Sequence, residues 1–433
     1  MLERARKRET NADPKKSARP RIALPVRWLI VGAFLTAASP VSPSAADETN
    51  WGSLREAVVD LEVVRPSQPE SSIAYGFYME GVDGIVACCA TVRGAERLVV
   101  IPAKGEPFEV TSYVACDPQS DLIVLKAPKS AKGLSRSSHL LFSQGQTGFA
   151  ILPPSVGGES IYKMGFVNMF EGAGMGDMMA LWGNISPGLP LADSLGKVVG
   201  VINVLREGGR FVACGIPIDR VTKLLAKPDR GGALLDLSDD PIAPWIQPET
   251  AEGSQIMGAV LCRARKFEAG IALLRRALDK NPQLVEAMLE WGMAYQIQSE
   301  HVEAERLYKE ALEIRPNYPK GHLYLGSCYF VQGMYLKAED EYDIALEQDP
   351  SWPVVYVNLG GLYFLQQRKA LAETTLRRAL DLAPLMGLAR CNLGVMYYAQ
   401  RRIDEAREQY EFLRSRKSGF APVLARQTHL DRP

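Results

Sequence analysis

The chain has 433 residues, 47% of them hydrophobic and 23% charged, with 50 basic groups balancing 50 acidic ones, an ordinary globular make-up for two domains or so. Nine of the basic residues (Arg4, Arg6, Lys7, Arg8, Lys15, Lys16, Arg19, Arg21 and Arg27) but only Glu3, Glu9 and Asp13 fall in residues 1–46, so the remainder carries 41 basic against 47 acidic groups, a net charge of −6. That sign gives no reason to propose nucleic acid or an anionic membrane surface as partner.

The basic stretch runs into an apolar run at residues 28–38, followed by residues 39–46 with small side chains at Ser44 and Ala46. This is the layout of a secretory signal peptide spanning residues 1–46, with cleavage expected after Ala46. The apolar run falls short of the about 20 residues a membrane-spanning helix needs. An uncleaved N-terminal anchor is the alternative reading, and both predict an exported protein of the periplasm or cell envelope.

Residues 47–226 are of a different kind. Short runs rich in Val and Ile, punctuated by Gly and Pro, recur from residue 74 onward: Gly84-Ile85-Val86-Ala87, Arg97-Leu98-Val99-Val100-Ile101, Leu122-Ile123-Val124-Leu125 and Lys197-Val198-Val199-Gly200-Val201-Ile202-Asn203. Strands of this length and spacing predict an all-β barrel or sandwich.

Three segments carry a family resemblance. Asp117-Pro118-Gln119-Ser120-Asp121-Leu122-Ile123-Val124-Leu125-Lys126 is similar to the segment bearing the catalytic aspartate in HtrA-like (Do-like) trypsin-fold serine proteases. Ile185-Ser186-Pro187-Gly188-Leu189-Pro190-Leu191 resembles that family's nucleophile loop, and residues 211–221 resemble its closing strand and last helix. The resemblance implies an all-β, trypsin-like double β-barrel.

The chemistry departs from the family pattern. Pro187 stands at the serine position, and proline has neither a hydroxyl to attack a carbonyl nor an N–H to serve as an oxyanion-hole donor. Ile185 replaces a glycine two residues earlier, and Ala90 stands where the general-base histidine is expected. Of the triad positions Ala90, Asp121 and Pro187, only Asp121 keeps its side chain, and a triad acts as a unit. His139 lies in a polar segment and reads as an exposed loop residue. The resemblance therefore implies a degenerate pseudoprotease domain. An endopeptidase with relocated catalytic residues, or a regulator paired with an active envelope protease of the same family, are the alternatives.

Seven cysteines are present: Cys88, Cys89, Cys116, Cys214, Cys262, Cys328 and Cys391. An exported chain meets an oxidising compartment, and an odd count leaves at least one thiol or an intermolecular bond. Cys116 lies on a segment that packs near the Cys88-Cys89 strand in trypsin-like folds, which suggests a bridge from Cys88 or Cys89 to Cys116; three buried thiols are the alternative. No Cys-x-x-Cys pair occurs, so no metal and no cofactor is expected.

Residues 227–250 read as a proline-rich linker. From 251 to 416 a 34-residue period appears, with Pro282, Pro316, Pro350 and Pro384 closing successive units. The best-preserved unit reads Trp291, Gly292, Tyr295, Ala304, Tyr308, Ala311, Pro316, and the next reads Leu325, Gly326, Tyr329, Ala338, Tyr342, Ala345, Pro350. Small residues permit close helix crossing, large ones at helical spacing fill the seam, and Pro ends the second helix. The pattern resembles the tetratricopeptide repeat (TPR) and predicts five helical hairpins followed by a tail at 417–433. The expected fold class is thus multidomain, an all-β trypsin-like double barrel followed by an all-α solenoid.

In that family the first helix of each hairpin lines a concave groove that binds protein segments. The resemblance assigns as lining Leu289, Met293 and Ile297, then Leu323, Phe330 and Val331, then Val357, Phe364 and Leu365, then Leu388, Val395 and Tyr398. The Lys and Asn that clamp a carboxylate terminus in some members are lacking at these offsets, apart from Lys320 near the rim. An apolar or amphipathic protein segment is the expected partner. The chain's own linker, with Ala233-Leu234-Leu235-Asp236-Leu237 and Trp245, is the alternative occupant.

Overall fold

The computed structural model describes residues 49–65, 71–128, 133–137, 147–156, 161–172, 176–182, 185–193, 195–207, 210–226, 231–234, 237, 247–415 and 418–431. The signal segment 1–46, His139 and Trp245 lie outside the described residues.

Fourteen strands occur among them. β1 (Val58–Val64), β2 (Ser72–Tyr78), β3 (Ile85–Cys88), β4 (Arg97–Ile101), β5 (Phe108–Glu109), β6 (Ser112–Asp117), β7 (Leu122–Leu125) and β14 (Gly232–Ala233) form one eight-stranded sheet in the order β14-β6-β7-β3-β2-β1-β4-β5. β8 (Thr147–Ile151), β9 (Ile161–Gly172), β10 (Gly176–Trp182), β11 (Pro190–Ala192), β12 (Val198–Glu207) and β13 (Arg210–Pro217) close into a barrel in the order β10-β13-β12-β11-β8-β9. Neighbouring strands in both pair antiparallel.

The continuous apolar runs mark the middle of the first sheet. β3 and β7 are buried at every position and pair from Ile85↔Leu125 to Cys88↔Leu122. A strand covered on both faces has no reason to alternate polar with apolar residues. β14 comes from the segment read as linker, where it adds an edge strand beside β6 through Gly232↔Tyr113.

Helices follow at regular intervals. The first helices of the hairpins are α1 (Ala251–Arg263), α3 (Val285–Ile297), α5 (Pro319–Val331), α7 (Pro353–Leu365) and α9 (Gly387–Ala399). Each is followed by its partner, α2 (Phe267–Lys280), α4 (His301–Ile314), α6 (Tyr335–Gln348), α8 (Lys369–Leu382) and α10 (Ile403–Ser415). Both series start every 34 residues. The segment read as a tail contains α11 (Ala421–Thr428), which begins one further period after α9 and packs on α9 and α10.

Close approach is set by glycine. A Cβ on Gly292 would lie 2.5 Å from the Tyr308 ring, one on Gly326 2.8 Å from Tyr342, and one on Gly360 2.6 Å from Leu376. In the fifth unit the corresponding Gly394 is covered by Leu424 of α11, which closes the apolar end of the array. Each hairpin turns through a residue in left-handed backbone: Arg265, Ser299, Gly333, Gln367 and Arg401 have φ of 61°, 67°, 78°, 63° and 63°.

The barrel and the array share one core. Thr250 caps α1 by accepting the Gly253 amide at 3.0 Å, and α1, buried along nearly its whole length, packs on α2 and α3 on one side and on β9, β10 and β13 on the other. Ile256, Met257, Ala259, Val260 and Leu261 belong to the same hydrophobic cluster as Val201, Val212 and Ile216 of the barrel.

Candidate functional site

The turn between β6 and β7 is built by Asp117, whose carboxylate accepts the Ser120 hydroxyl at 2.7 Å, and by the Asp121 amide donating to the Pro118 carbonyl at 3.3 Å. The chain leaves it through Asp121 at φ 53°, a left-handed conformation that a short polar residue tolerates better than most. Pairing of Cys88 with Leu122 then sets Asp121 beside the turn that follows β3. Its carboxylate accepts the Ala90 amide at 2.6 Å on one oxygen and the side-chain amide of Asn203, from β12 of the barrel, on the other. The Cys89 amide donates to the Asp121 carbonyl at 3.1 Å.

Asp121 is 1% exposed. Burial pushes its carboxyl up to about 7 against the pull of the amides of Ala90 and Asn203 and of the Cys88 thiol. Cys88 lies 3.6 Å from the Ile202 carbonyl. Burial, the Asp121 charge and a hydrogen bond to that carboxylate raise its thiol well above the usual range, against the opposing pull of the Gly188 amide. The Asn203 carboxamide oxygen accepts the Val204 amide at 2.6 Å. Both Asp121 carboxylate oxygens and both polar ends of the Asn203 side chain are thus engaged by other protein atoms.

The loop holding Pro187 meets the same junction. The Gly188 amide donates to the Ile202 carbonyl at 2.8 Å, and Gly188 has φ 89° with its Cα against the Tyr75 carbonyl, which leaves no room for a Cβ. The structure thus gathers the segments carrying Ala90, Asp121 and Pro187 at the seam of the sheet and the barrel. What it places there is a methyl group, a hydrogen-bonded carboxyl and an imino acid. Asn203 has no role in the reading of the sequence, although it ends the Val- and Ile-rich run Lys197 to Asn203.

Cys89 and Cys116 are brought together, with sulfurs 3.2 Å apart and both residues buried. Cys88 faces the Asp121 cluster instead. Of the two pairings left open by the sequence, the geometry favours Cys89 with Cys116.

Among the twelve residues assigned to the groove, Leu289, Met293, Leu323, Phe330, Val357, Phe364, Leu388 and Val395 are buried, and Ile297, Val331, Leu365 and Tyr398 are half-buried. Eight of them therefore pack inside the array rather than lining an open apolar channel. The polar signal lies elsewhere, at the 34-residue series Glu290, Tyr324, Asn358 and Asn392, all buried along the row of first helices. The Asn358 amide reaches the Ser327 hydroxyl at 3.4 Å, which also accepts the Tyr342 hydroxyl at 3.2 Å. Asn392 is 6% exposed, and neither its amide nitrogen nor its carbonyl oxygen has a hydrogen-bond partner among the described residues. The series stands one position after Leu289, Leu323 and Val357, so the repeat period alone would have found it.

Tetratricopeptide repeat models match residues 258–319, 297–357 and 357–418. The helical array is made of tetratricopeptide repeats. Among solved structures, the thermophilic TPR protein TTC0263 of Thermus thermophilus is similar at 22% identity over 41% of this chain and 98% of that one, with a TM-score of 0.38. The active form of the Rv3671c protease of M. tuberculosis is similar at 18% identity over 45% of this chain and 89% of that one, with a TM-score of 0.37. The serine endoprotease of Yersinia pestis is similar at 19% identity over 46% and 68%, with a TM-score of 0.35. No curated protein matches the chain.

Proposed function

We propose that the chain is an exported, non-catalytic scaffold in which the β-region has given up proteolysis and the TPR array holds a protein partner. One observation carries the first half: the Asp121 carboxylate is spent on the Ala90 amide and on Asn203, while positions 90 and 187 supply no base and no nucleophile. A carboxyl in that position orients a base or stabilises its charge, and with neither base nor nucleophile it has nothing to act through. Repeat arrays of this kind recognise protein segments, and the half-buried Ile297, Val331, Leu365 and Tyr398 along the row of first helices leave apolar surface that such a segment can cover. The partner is an apolar or amphipathic protein segment in contact with the half-buried Ile297, Val331, Leu365 and Tyr398. Export is supported by the basic and apolar character of residues 1–46.

The test is made on the full chain. A fluorophosphonate probe is expected to label nothing and unfolded casein to stay intact, whereas a labelled serine in the β-region would overturn the non-catalytic reading. Proteins captured from an envelope fraction by the wild-type chain are expected to be lost with Val331→Lys/Leu365→Lys. Equal capture by both would remove Val331 and Leu365 from the binding role.

A further inference from the structure

We propose that Cys89 and Cys116 are joined by a disulfide formed through thiol–disulfide exchange, and that the five other cysteines remain thiols. This goes beyond the binding role and does not rest on it. The sulfurs are 3.2 Å apart, so a small approach of two side chains completes the bond. Both residues are 5% exposed. Cys89 opens the one-turn helix Cys89–Val92 directly after β3, and Cys116 lies near the end of β6, with β7 between them in the sheet. Cys88, one residue earlier, has its sulfur committed to Asp121 and the Ile202 carbonyl.

The oxidant is a small thiol compound or a thiol protein in its disulfide form, oxidised glutathione in the test below. The thiolate of one cysteine attacks that disulfide, and one oxidant sulfur leaves as a thiol. The second cysteine then attacks the mixed disulfide and expels the other oxidant sulfur. The two cysteines lose two protons and two electrons, and the oxidant disulfide gains them as two thiols. Burial of the pair places this reaction during folding, while both sulfurs are open to the oxidant, and the packed core afterwards keeps reductants away.

The other five stand apart from the pair: Cys88 is turned to the Ile202 carbonyl, Cys214 lies in β13, and Cys262, Cys328 and Cys391 sit singly in α1, α5 and α9. Burial pushes Cys328 up to about 11 and Cys262 and Cys391 up to about 12, and it raises Cys214 and Cys88 further against ionisation. The thiolate is the reacting species, so once folding has closed the core these sulfurs stay unreactive. The cross-link would also fix the turn in which the Cys89 and Ala90 amides hold Asp121, tying that turn to the strand that leads into Asp121.

The experiment is a thiol count and a peptide map on the full chain. The chain is refolded in a glutathione redox buffer, capped with N-ethylmaleimide in denaturant, and compared with a fully reduced sample. The reduced sample is expected to carry seven capped thiols and the oxidised one two fewer. Trypsin should release residues 56–93 linked to residues 105–126, lighter by two hydrogens than the separate peptides, with fragment ions placing the link at Cys89. Cys88→Ser is expected to keep the link and Cys116→Ser to abolish it. Seven capped thiols after oxidation, or a link at Cys88 or between any other pair, would overturn the proposal; the wild-type map decides this even where a serine variant fails to fold.

Discussion

Arg263 and Glu290 form an ion pair inside the protein: the guanidinium Nη2 lies 2.9 Å from the carboxylate Oε1, and the two side chains are 2% and 3% exposed. Arg263 ends α1, the helix set into the barrel core, and Glu290 lies in α3 at the head of the polar series that continues through Tyr324 to Asn358 and Asn392. Burial works against the Arg263 charge, with the phenols of Tyr324 and Tyr308 among its compensating neighbours. The pair is thus a polar joint between the barrel-bound helix and the rest of the array.

Breaking one side of that joint is expected to be severe. Glu290→Ala leaves a buried guanidinium without its counter-charge and should lower stability by about 3–5 kcal/mol, read by urea denaturation of the full chain. Replacing both partners, as Arg263→Met/Glu290→Leu, should restore most of the loss, since apolar residues of similar volume remove the desolvation cost. A double variant as unstable as the single one would show that the pair does more than neutralise itself.

Asp121 gives the β-region a pH dependence of defined sign. Its carboxyl is raised from 3.8 to about 7 by burial, so between about pH 4 and pH 7 the unfolded chain has released this proton while the folded chain keeps it. Stability from this group is therefore full below about pH 4, falls as pH rises through 7 and levels off above it, by up to about 4 kcal/mol. Asp121→Asn removes the titration, so the stability difference between wild type and variant, followed by urea denaturation from pH 4 to 8, should shift steadily in the variant's favour.

The helix crossings in the array predict a cost for a single methyl group. Gly292→Ala puts a Cβ against the Tyr308 ring, and overpacking of this kind costs about 1–3 kcal/mol, more than alanine's intrinsic helical advantage of about 1 kcal/mol returns. Thermal denaturation followed by circular dichroism should show a lower midpoint. A midpoint at or above wild type would mean that the ring moves freely.

Four of the five hairpin turns carry a side chain in left-handed backbone, where only Gly333 is free of strain. Ser299→Gly and Gln367→Gly should each stabilise the chain by about 0.5–1 kcal/mol, and Gly333→Ala should destabilise it by about 1 kcal/mol. Chemical denaturation of the three variants checks both signs.

The repeats were legible because their constraint is periodic: Gly292 and Tyr308 touch, and the same two offsets recur as Gly326 with Tyr342 and Gly360 with Leu376. The strands were legible where they are buried on both faces, as in β3 and β7. β14 escaped notice because two residues, Gly232 and Ala233, carry no pattern, and their pairing is decided by the edge of β6. α11 escaped because its eight residues follow the incomplete fifth unit, yet its start at Ala421 keeps the 34-residue register and Pro422 stands in the first turn, as Pro319 and Pro353 do in α5 and α7. At the site, sequence supplied Ala90, Asp121 and Pro187. Asn203 was not seen, because its tie to Asp121 joins residues 82 positions apart. Nor could spacing tell Cys88 from Cys89, since neighbours along a chain turn opposite ways and only the packed neighbours reveal which sulfur meets Cys116.

The seating of α1 among the barrel strands leaves no slack between recognition surface and β-region. A hinge needs a seam that can wet and re-dry at little cost, and here the seam is interior to both halves. Whatever the repeats grip is consequently held at one bearing to the Asp121 junction, like a tool in a fixed chuck rather than on a tether, and heat should melt the barrel and the first hairpin together.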